Sequence, residues 1–286
     1  MRLLVVAALI ASSATQLQAQ RPNGPPVLGL DHVPIAVNAL DVAAARYRQL
    51  GFSLKPGRPH ANGIQNQHVK FRDGTELELI TAPAVRDSLT ATYRRHLRAG
   101  DGPAFLALYA PASDRLVASL KAAGFRSSAS GALVSLRDPD PLRYVFFGPR
   151  NQSPTDRPEH FAHANTGESL IAVWLAGADL SRERRLLTAL GAGFEEQDVN
   201  APQRMRATIA RLPEGVIILL PAERQLVRDR PIVGATVRVR SLEAARKLLE
   251  AAQLPVPATV QLGNAVSIFL PPALTHGIWL ELREVR

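Results

Sequence analysis

Two residues that could serve one ligand bracket the segment 30–80. His32 lies in LDHVPIAV and Glu78 in ELELI, two stretches whose apolar residues alternate as in strands. His60, Asn66 and His68 fall between them in HANGIQNQH. A His and a carboxylate on one face can bind a hard divalent ion. His60 or His68 would then complete a three-donor site with one open position. Without an ion, His32 can take a proton from a carbon beside a carbonyl while Glu78 orients it or acts as its acid partner. Asn66 could bind a ligand carbonyl or fix His60. The structural alternatives are a hydrogen-bonded His32 on a cleft wall, a turn-forming Asn66 and an exposed strand-end His68. Glu76 reads as a solvated carboxylate near the sheet edge.

A second candidate pair, His276 and Glu281, lies in PPALTHGIWLELRE, with Trp279 on the face of Glu281. Such a Trp can stack on a flat ligand or close the rim of a sheet. His160 and His163, in EHFAHANT, could tie a linker to a domain or cap the first cleft. There is no cysteine, which removes thiolate nucleophiles and Cys-based zinc sites. Gly-x-Ser-x-Gly, the Walker loop, a strand followed by Gly-x-Gly-x-x-Gly, and His-Glu-x-x-His are all absent. A serine hydrolase or a nucleotide enzyme is therefore not expected.

The net charge of +9 comes from dispersed arginines, as in RERR and TYRRHLR, with no aromatic-interleaved basic patch. No nucleic-acid partner is expected, and a preference for small anionic ligands is the more economical reading of the charge.

The elements that must position these residues repeat. A strand of Val33, Ile35 and Val37 on one face leads to a helix near 40–50, stopped at Gly51-Phe52. AFLALYA leads to DRLVASLKAAGF, LIAVWLA to a helix near 180–190, and ATVRVRS to LEAARKLLEAAQL. Paired strand-like segments follow each helix, giving four βαβββ-like units, the second and third less complete. One such unit leaves a sheet face open, and two side by side form a cleft. Alternation puts Val33, Ile35, Val69, Phe71, Leu77 and Leu79 under the helix. His32, Asn66, His68, Lys70, Glu76 and Glu78 are left on the open face.

On these residues the chain resembles the glyoxalase-like domain of the vicinal oxygen chelate superfamily. The resemblance rests on LDHVPIAV, the Gly-Phe after the helix, the run from His60 to Asn66, and Leu77-Glu78-Leu79; the last unit matches at PPALTHGIWLELRE. It implies an α+β fold of paired βαβββ modules forming half-barrel clefts. It also implies a divalent metal (zinc, iron, manganese, nickel or magnesium) held by a first-strand His and a last-strand carboxylate of each module. His32 and Glu78 fit those positions, and Glu281 fits the last-strand position of unit four. Phe105, Ala172 and Gly234 stand where the other units would need a first-strand ligand, and unit two ends LRYVFFG without a carboxylate.

Residues 1–19 read as a signal peptide: Arg2, the apolar LLVVAALIA and a small-residue cleavage site at Ala19. The apolar run is about half of the ~20 residues a span needs, so export to the periplasm or medium without stable membrane insertion is expected. The domain expectation is a glyoxalase-like pair over 28–150, a linker over 151–167 and a second, degenerate pair over 168–286. The functional expectation is lyase, isomerase or dioxygenase-type chemistry on a small oxygenated metabolite in the first cleft. The rival is a binding protein that sequesters a small molecule, and a homodimer could complete the site.

Overall fold

The structure, a computed structural model, describes residues 24–285, so the expected signal peptide lies outside the described residues. Four βαβββ units follow one another, and the second and third are as complete as the others. The first is β1 (Gly29–Ala36), α1 (Leu40–Gln49), β2 (Lys55–Pro56), β3 (Gln65–Lys70) and β4 (Glu76–Thr81). A helix unforeseen in the sequence, α2 (Ser88–Leu97), comes next. It starts on a reciprocal cap: the Asp87 side chain accepts from the Thr90 amide, and Thr90 Oγ1 accepts from the Asp87 amide.

The second unit is β5 (Gly102–Pro103) with β6 (Leu106–Tyr109), α3 (Ser113–Ala122), β7 (Ser127–Ser130), β8 (Leu133–Leu136) and β9 (Val145–Gly148). The third is β10 (Gly167–Ala176), α4 (Ser181–Ala189), β11 (Gly193–Asn200), β12 (Arg204–Arg211) and β13 (Val216–Leu220). The fourth is β14 (Ile232–Val239), α5 (Leu242–Ala251), β15 (Val260–Leu262), β16 (Ala265–Leu270), the short α6 (Pro272–Thr275) and β17 (Trp279–Val285). Among the described residues no helix is long and apolar enough to cross a membrane.

The units pair two by two in an α+β architecture of two mixed sheets. The first sheet has the order β2-β3-β4-β1-β6-β9-β8-β7, and the second repeats it as β11-β12-β13-β10-β14-β17-β16-β15. β1 runs parallel to β4 and β6 parallel to β9, while β1 and β6 meet antiparallel at the centre. Val33, Ile35, Val69, Phe71, Leu77 and Leu79 pack with Ala43, Ala44 and Tyr47 of α1, and this core continues through Val173, Leu175, Ile217 and Leu219 of the second sheet. Each such apolar side chain contributes about 1.5–3 kcal/mol on burial. A one-residue slip of β1 or β4 would turn that set outward, so the register is firmly fixed.

The open faces differ. That of the second sheet is filled by Trp174, Ile209, Ile218, Val233 and Phe269. A Cβ on Gly234 would lie 2.1 Å from the Trp174 indole, so this glycine supplies the room the ring needs. That of the first sheet holds polar groups. The stretch expected to be a linker is fastened to the first sheet and its helix, with Asp156 beside the open face and His163 and Asn165 on the helix-covered side. Asp156 accepts from Lys70 at 2.7 Å, His163 Nε2 donates to the Lys70 carbonyl at 2.9 Å, and Asn165 donates to the Leu50 carbonyl at 2.8 Å.

Candidate functional site

Strand register builds the site. Pairing of β1 with β4 sets His32 against Glu76 and Pro34 against Glu78; pairing of β3 with β4 sets His68 against Glu78 and Lys70 against Glu76. Paired residues share a face, so all these polar side chains stand on the open side. The Asn66 amide donates to Glu78 Oε1 at 2.6 Å, and His68 Nδ1 lies 2.9 Å from Glu76 Oε2. Lys70 Nζ is 3.2 Å from Glu76 Oε1.

Two expectations need correction. Glu76 is not a solvated edge carboxylate: it is 1% exposed, because β4 is enclosed between β3 and β1. His68 is not an exposed strand-end residue, since its ring is turned onto that buried carboxylate.

His32 is held on both sides. Its Nδ1 lies 3.1 Å from Asp31 Oδ2, and its Nε2 faces Glu78 Oε2 at 3.6 Å. Successive strand residues point to opposite faces, so simple alternation sends Asp31 away from His32. The β1–β6 register, however, shifts between Leu30 and His32, leaving Asp31 as a bulged residue. Bulges re-aim side chains, and this one brings a carboxylate onto the imidazole. Burial lowers the His32 pKa. The Asp31 hydrogen bond and the charges of Asp31, Glu78 and Glu76 outweigh it and raise the value to about 9. Burial of Glu76 works to raise its pKa, but His68, His32 and Lys70 together pull it below the usual carboxylate range.

A cavity of about 700 Å³ opens over these groups. Asp31, His32, Asn66, His68, Glu76 and Glu78 form one wall. Unit two supplies an apolar wall, with Phe146 edge-on to His32 at 5.4 Å between ring centroids, and residues 149–153 and 155 form the rim. His60 also lines the cavity, so all five residues expected in the first cleft are brought together there. Among the described residues, five buried side-chain atoms have no hydrogen-bond partner: Asp31 Oδ1, His60 Nε2, Asn66 Oδ1, Glu76 Oε1 and Arg150 Nε. All five residues line this one cavity. Native proteins rarely leave buried polar atoms unpaired, and such atoms mark sites where water, ions or ligands belong.

The sequence reading missed Asp31, Phe146, Arg150 and Gly57. A Cβ on Gly57 would lie 1.6 Å from Asn66 Oδ1, so this glycine makes room for the side chain that holds Glu78. No local signal marks that contact, because it crosses from β2 to β3.

The second expected pair is not formed. His276 Nδ1 lies 2.8 Å from Asp101 Oδ2, whereas Glu281 accepts from Thr236 at 2.7 Å, Ser267 at 2.5 Å and Arg283 at 2.8 Å. Glu281 is 1% exposed and saturated by these donors. Trp279 packs with the apolar filling of the second sheet. His160 accepts locally from the Arg157 amide. His163 ties its segment to the first sheet.

The divalent metal implied by the resemblance can be tested against the donors present. His32 Nε2 and Glu78 Oε2 are near enough to share an ion, and the Asp31 carboxylate on Nδ1 is the support a ligating His usually has. The other module brings Phe146 to this wall where a third donor would stand. Among the described residues no group of three or more His, Asp or Glu is arranged to hold an ion. A catalytic zinc takes three protein ligands, so this donor set falls one short of a zinc site.

No curated protein matches the sequence. The fold is similar to a hypothetical protein from Staphylococcus aureus (TM-score 0.60, 12% identity, covering 90% of this chain and 99% of that one). It is also similar to a variant of 4-hydroxymandelate synthase from Streptomyces coelicolor (TM-score 0.65, 13% identity, 91% and 93%). A third similar structure is 2,2',3-trihydroxybiphenyl 1,2-dioxygenase from Sphingomonas wittichii (TM-score 0.61, 14% identity, 90% and 90%). At these identities the likeness shows the fold alone. The model of the glyoxalase-like domain matches residues 30–204, more than half of the chain. The chain thus belongs to the glyoxalase-like domain family of the vicinal oxygen chelate superfamily.

Proposed function

We propose that the chain binds a small oxygenated carbonyl compound in the first cavity and moves its protons with His32 and Glu78, in isomerase- or lyase-type chemistry. The observation that carries this reading is the opposed pair itself: His32 Nε2 and Glu78 Oε2 face each other at 3.6 Å on the wall of the cavity. His32, kept protonated up to about pH 9, donates Nε2–H to the carbonyl oxygen. Glu78 Oε2 takes a proton from the adjacent carbon. The C–H electrons form the new C=C bond, and the carbonyl π pair moves to the oxygen beside the imidazolium. In an α-hydroxy carbonyl compound, return of the proton to the former carbonyl carbon, while the adjacent hydroxyl gives its proton to the new alkoxide and becomes the carbonyl, gives isomerisation. Departure of a β-substituent with its bonding pair gives elimination. Asn66 fixes the Glu78 carboxylate, and Asp31 fixes the tautomer and tilt of His32.

The test is solvent exchange. Small carbonyl compounds are incubated with the protein in deuterium oxide, and deuterium at carbon is followed by NMR. Exchange that disappears in Glu78→Gln and His32→Gln is the expected result. Binding of a compound without any exchange would favour the sequestering alternative. Elemental analysis separates the remaining version. A stoichiometric divalent ion, lost in His32→Ala, would replace proton transfer with metal-assisted chemistry, including the dioxygenase type. We also propose export through residues 1–19, to be checked by the N-terminal sequence of the protein recovered outside the cytoplasm.

A further inference from the structure

The first cavity has more to say about what enters it than about the reaction alone. Three carboxylates, those of Asp31, Glu76 and Glu78, stand around one imidazole, and the first two are 3% and 1% exposed. Of the cations around the cavity, Lys55, Lys70 and Arg150 are engaged by protein groups, and Arg58 stands exposed at its rim. Lys55 and Lys70 both pair with Asp156, and Lys70 also donates to the Asn151 carbonyl. Arg150 gives its terminal nitrogens to the Asp73 and Leu30 carbonyls and to Glu214, and its guanidinium lies 4.7 Å from the Tyr109 ring centroid.

The unpaired atoms lean the same way. Asp31 Oδ1 and Asn66 Oδ1 are acceptors, as is Glu76 Oε1, which has only the Lys70 ammonium at 3.2 Å; against them stand one donor, Arg150 Nε, and the His60 ring nitrogen, which can be either. An anionic ligand brings only acceptors and negative charge to a wall already rich in both. A hydroxyl brings a donor and an acceptor together.

From this wall we infer that the ligand is a neutral, hydroxyl-rich carbonyl compound of the aldose or ketose type, recognised through its hydroxyl donors. The inference rests on the proposed function for the choice of a carbonyl compound. It reverses the anionic preference suggested by the net charge, because the charge of +9 belongs to the whole chain and this wall carries carboxylates. The open apolar side, with Leu133 and Phe146, takes the C–H face of such a molecule.

The test uses matched probes on the wild-type protein: D-xylose against D-xylonate, and D-glucose against D-glucuronate. Binding is read by saturation-transfer NMR and by the imidazole signals of His32 and His68. The neutral member of each pair is expected to bind at least about tenfold more tightly, since like-charge contact penalises the acid. Glu76→Gln is expected to narrow that ratio. Equal or tighter binding of the acids overturns the inference, and so does failure of both neutral probes to bind. A mixture of unrelated small carbonyl compounds separates the two readings. If one of them shifts the His32 signal while the sugars do not, the site stands and the ligand class falls. If nothing shifts it, both fall.

Discussion

Asp31, the bulged residue of β1, places its Oδ2 3.1 Å from His32 Nδ1, so a break in the strand ladder supplies the partner of the central imidazole. Together with the charges of Glu78 and Glu76, this contact raises the His32 pKa to about 9 against burial. Asp31→Asn keeps the shape and removes the charge. The His32 titration, followed by its imidazole NMR signals, is expected to move from about 9 toward or below the ordinary histidine value of ~6.5. An unchanged midpoint would show that Asp31 does not set the charge of the site.

The same shift couples folding to pH. A histidine whose folded pKa is raised contributes stability that is complete below its unfolded value of ~6.5 and is lost as pH climbs through the folded value. For His32 the window therefore runs from there to about 9. Urea midpoints of the wild type are expected to fall across this window, and those of His32→Gln to fall less. Parallel curves for the two proteins would remove His32 as the cause.

Gly57 governs the site without facing the reacting atoms. A Cβ there would lie 1.6 Å from Asn66 Oδ1, and the Asn66 amide is what holds Glu78 Oε1. Gly57→Ala should leave the core intact, because the glycine lies outside it, yet displace Asn66, whose backbone oxygen the Cβ would also meet at 2.6 Å, and free the carboxylate. The expected outcome is a melting temperature within a few degrees of wild type, with deuterium exchange reduced to the level of Asn66→Ala. Full exchange in Gly57→Ala would mean that Glu78 needs no such support.

Much of this was legible in the chain. The alternation of Val33, Ile35, Leu77 and Leu79 gave the buried face, and through it the open face with His32, His68 and Glu78. The repeat of strand and helix gave the four units. Three things were hidden, each for a physical reason. Glu76 looked solvated because its burial depends on β4 lying between β3 and β1, a pairing set by topology and not by neighbours in sequence. Asp31 went unnoticed because period-two reasoning has no place for a bulge. His276 looked like the partner of Glu281 because the two are near in sequence, while tertiary contact hands it to Asp101.

Lys70 tests how the rim of the cavity is held. Its side chain is 1% exposed, and its ammonium meets Asp156 at 2.7 Å, the Asn151 carbonyl, and Glu76 at 3.2 Å. Burial of Asp156 works to raise its pKa, but the bonds from Lys55, Lys70 and the Ser153 amide hold it down at about 2. Removing one partner of a buried ion pair leaves the other charge stranded, so Asp156→Ala is expected to cost about 3 kcal/mol in urea unfolding. Glu76 remains beside Lys70 and softens the loss. Lys70→Met in the same chain removes the stranded charge and should recover part of it. The single variant should also loosen residues 149–155, seen as faster amide exchange at Gln152 and Ser153, since Asp156 anchors that rim to β2 and β3. A single variant within about 0.5 kcal/mol of wild type, with unchanged exchange at those amides, would show that Arg150, the Lys70–Asn151 bond and His163 hold the rim without Asp156.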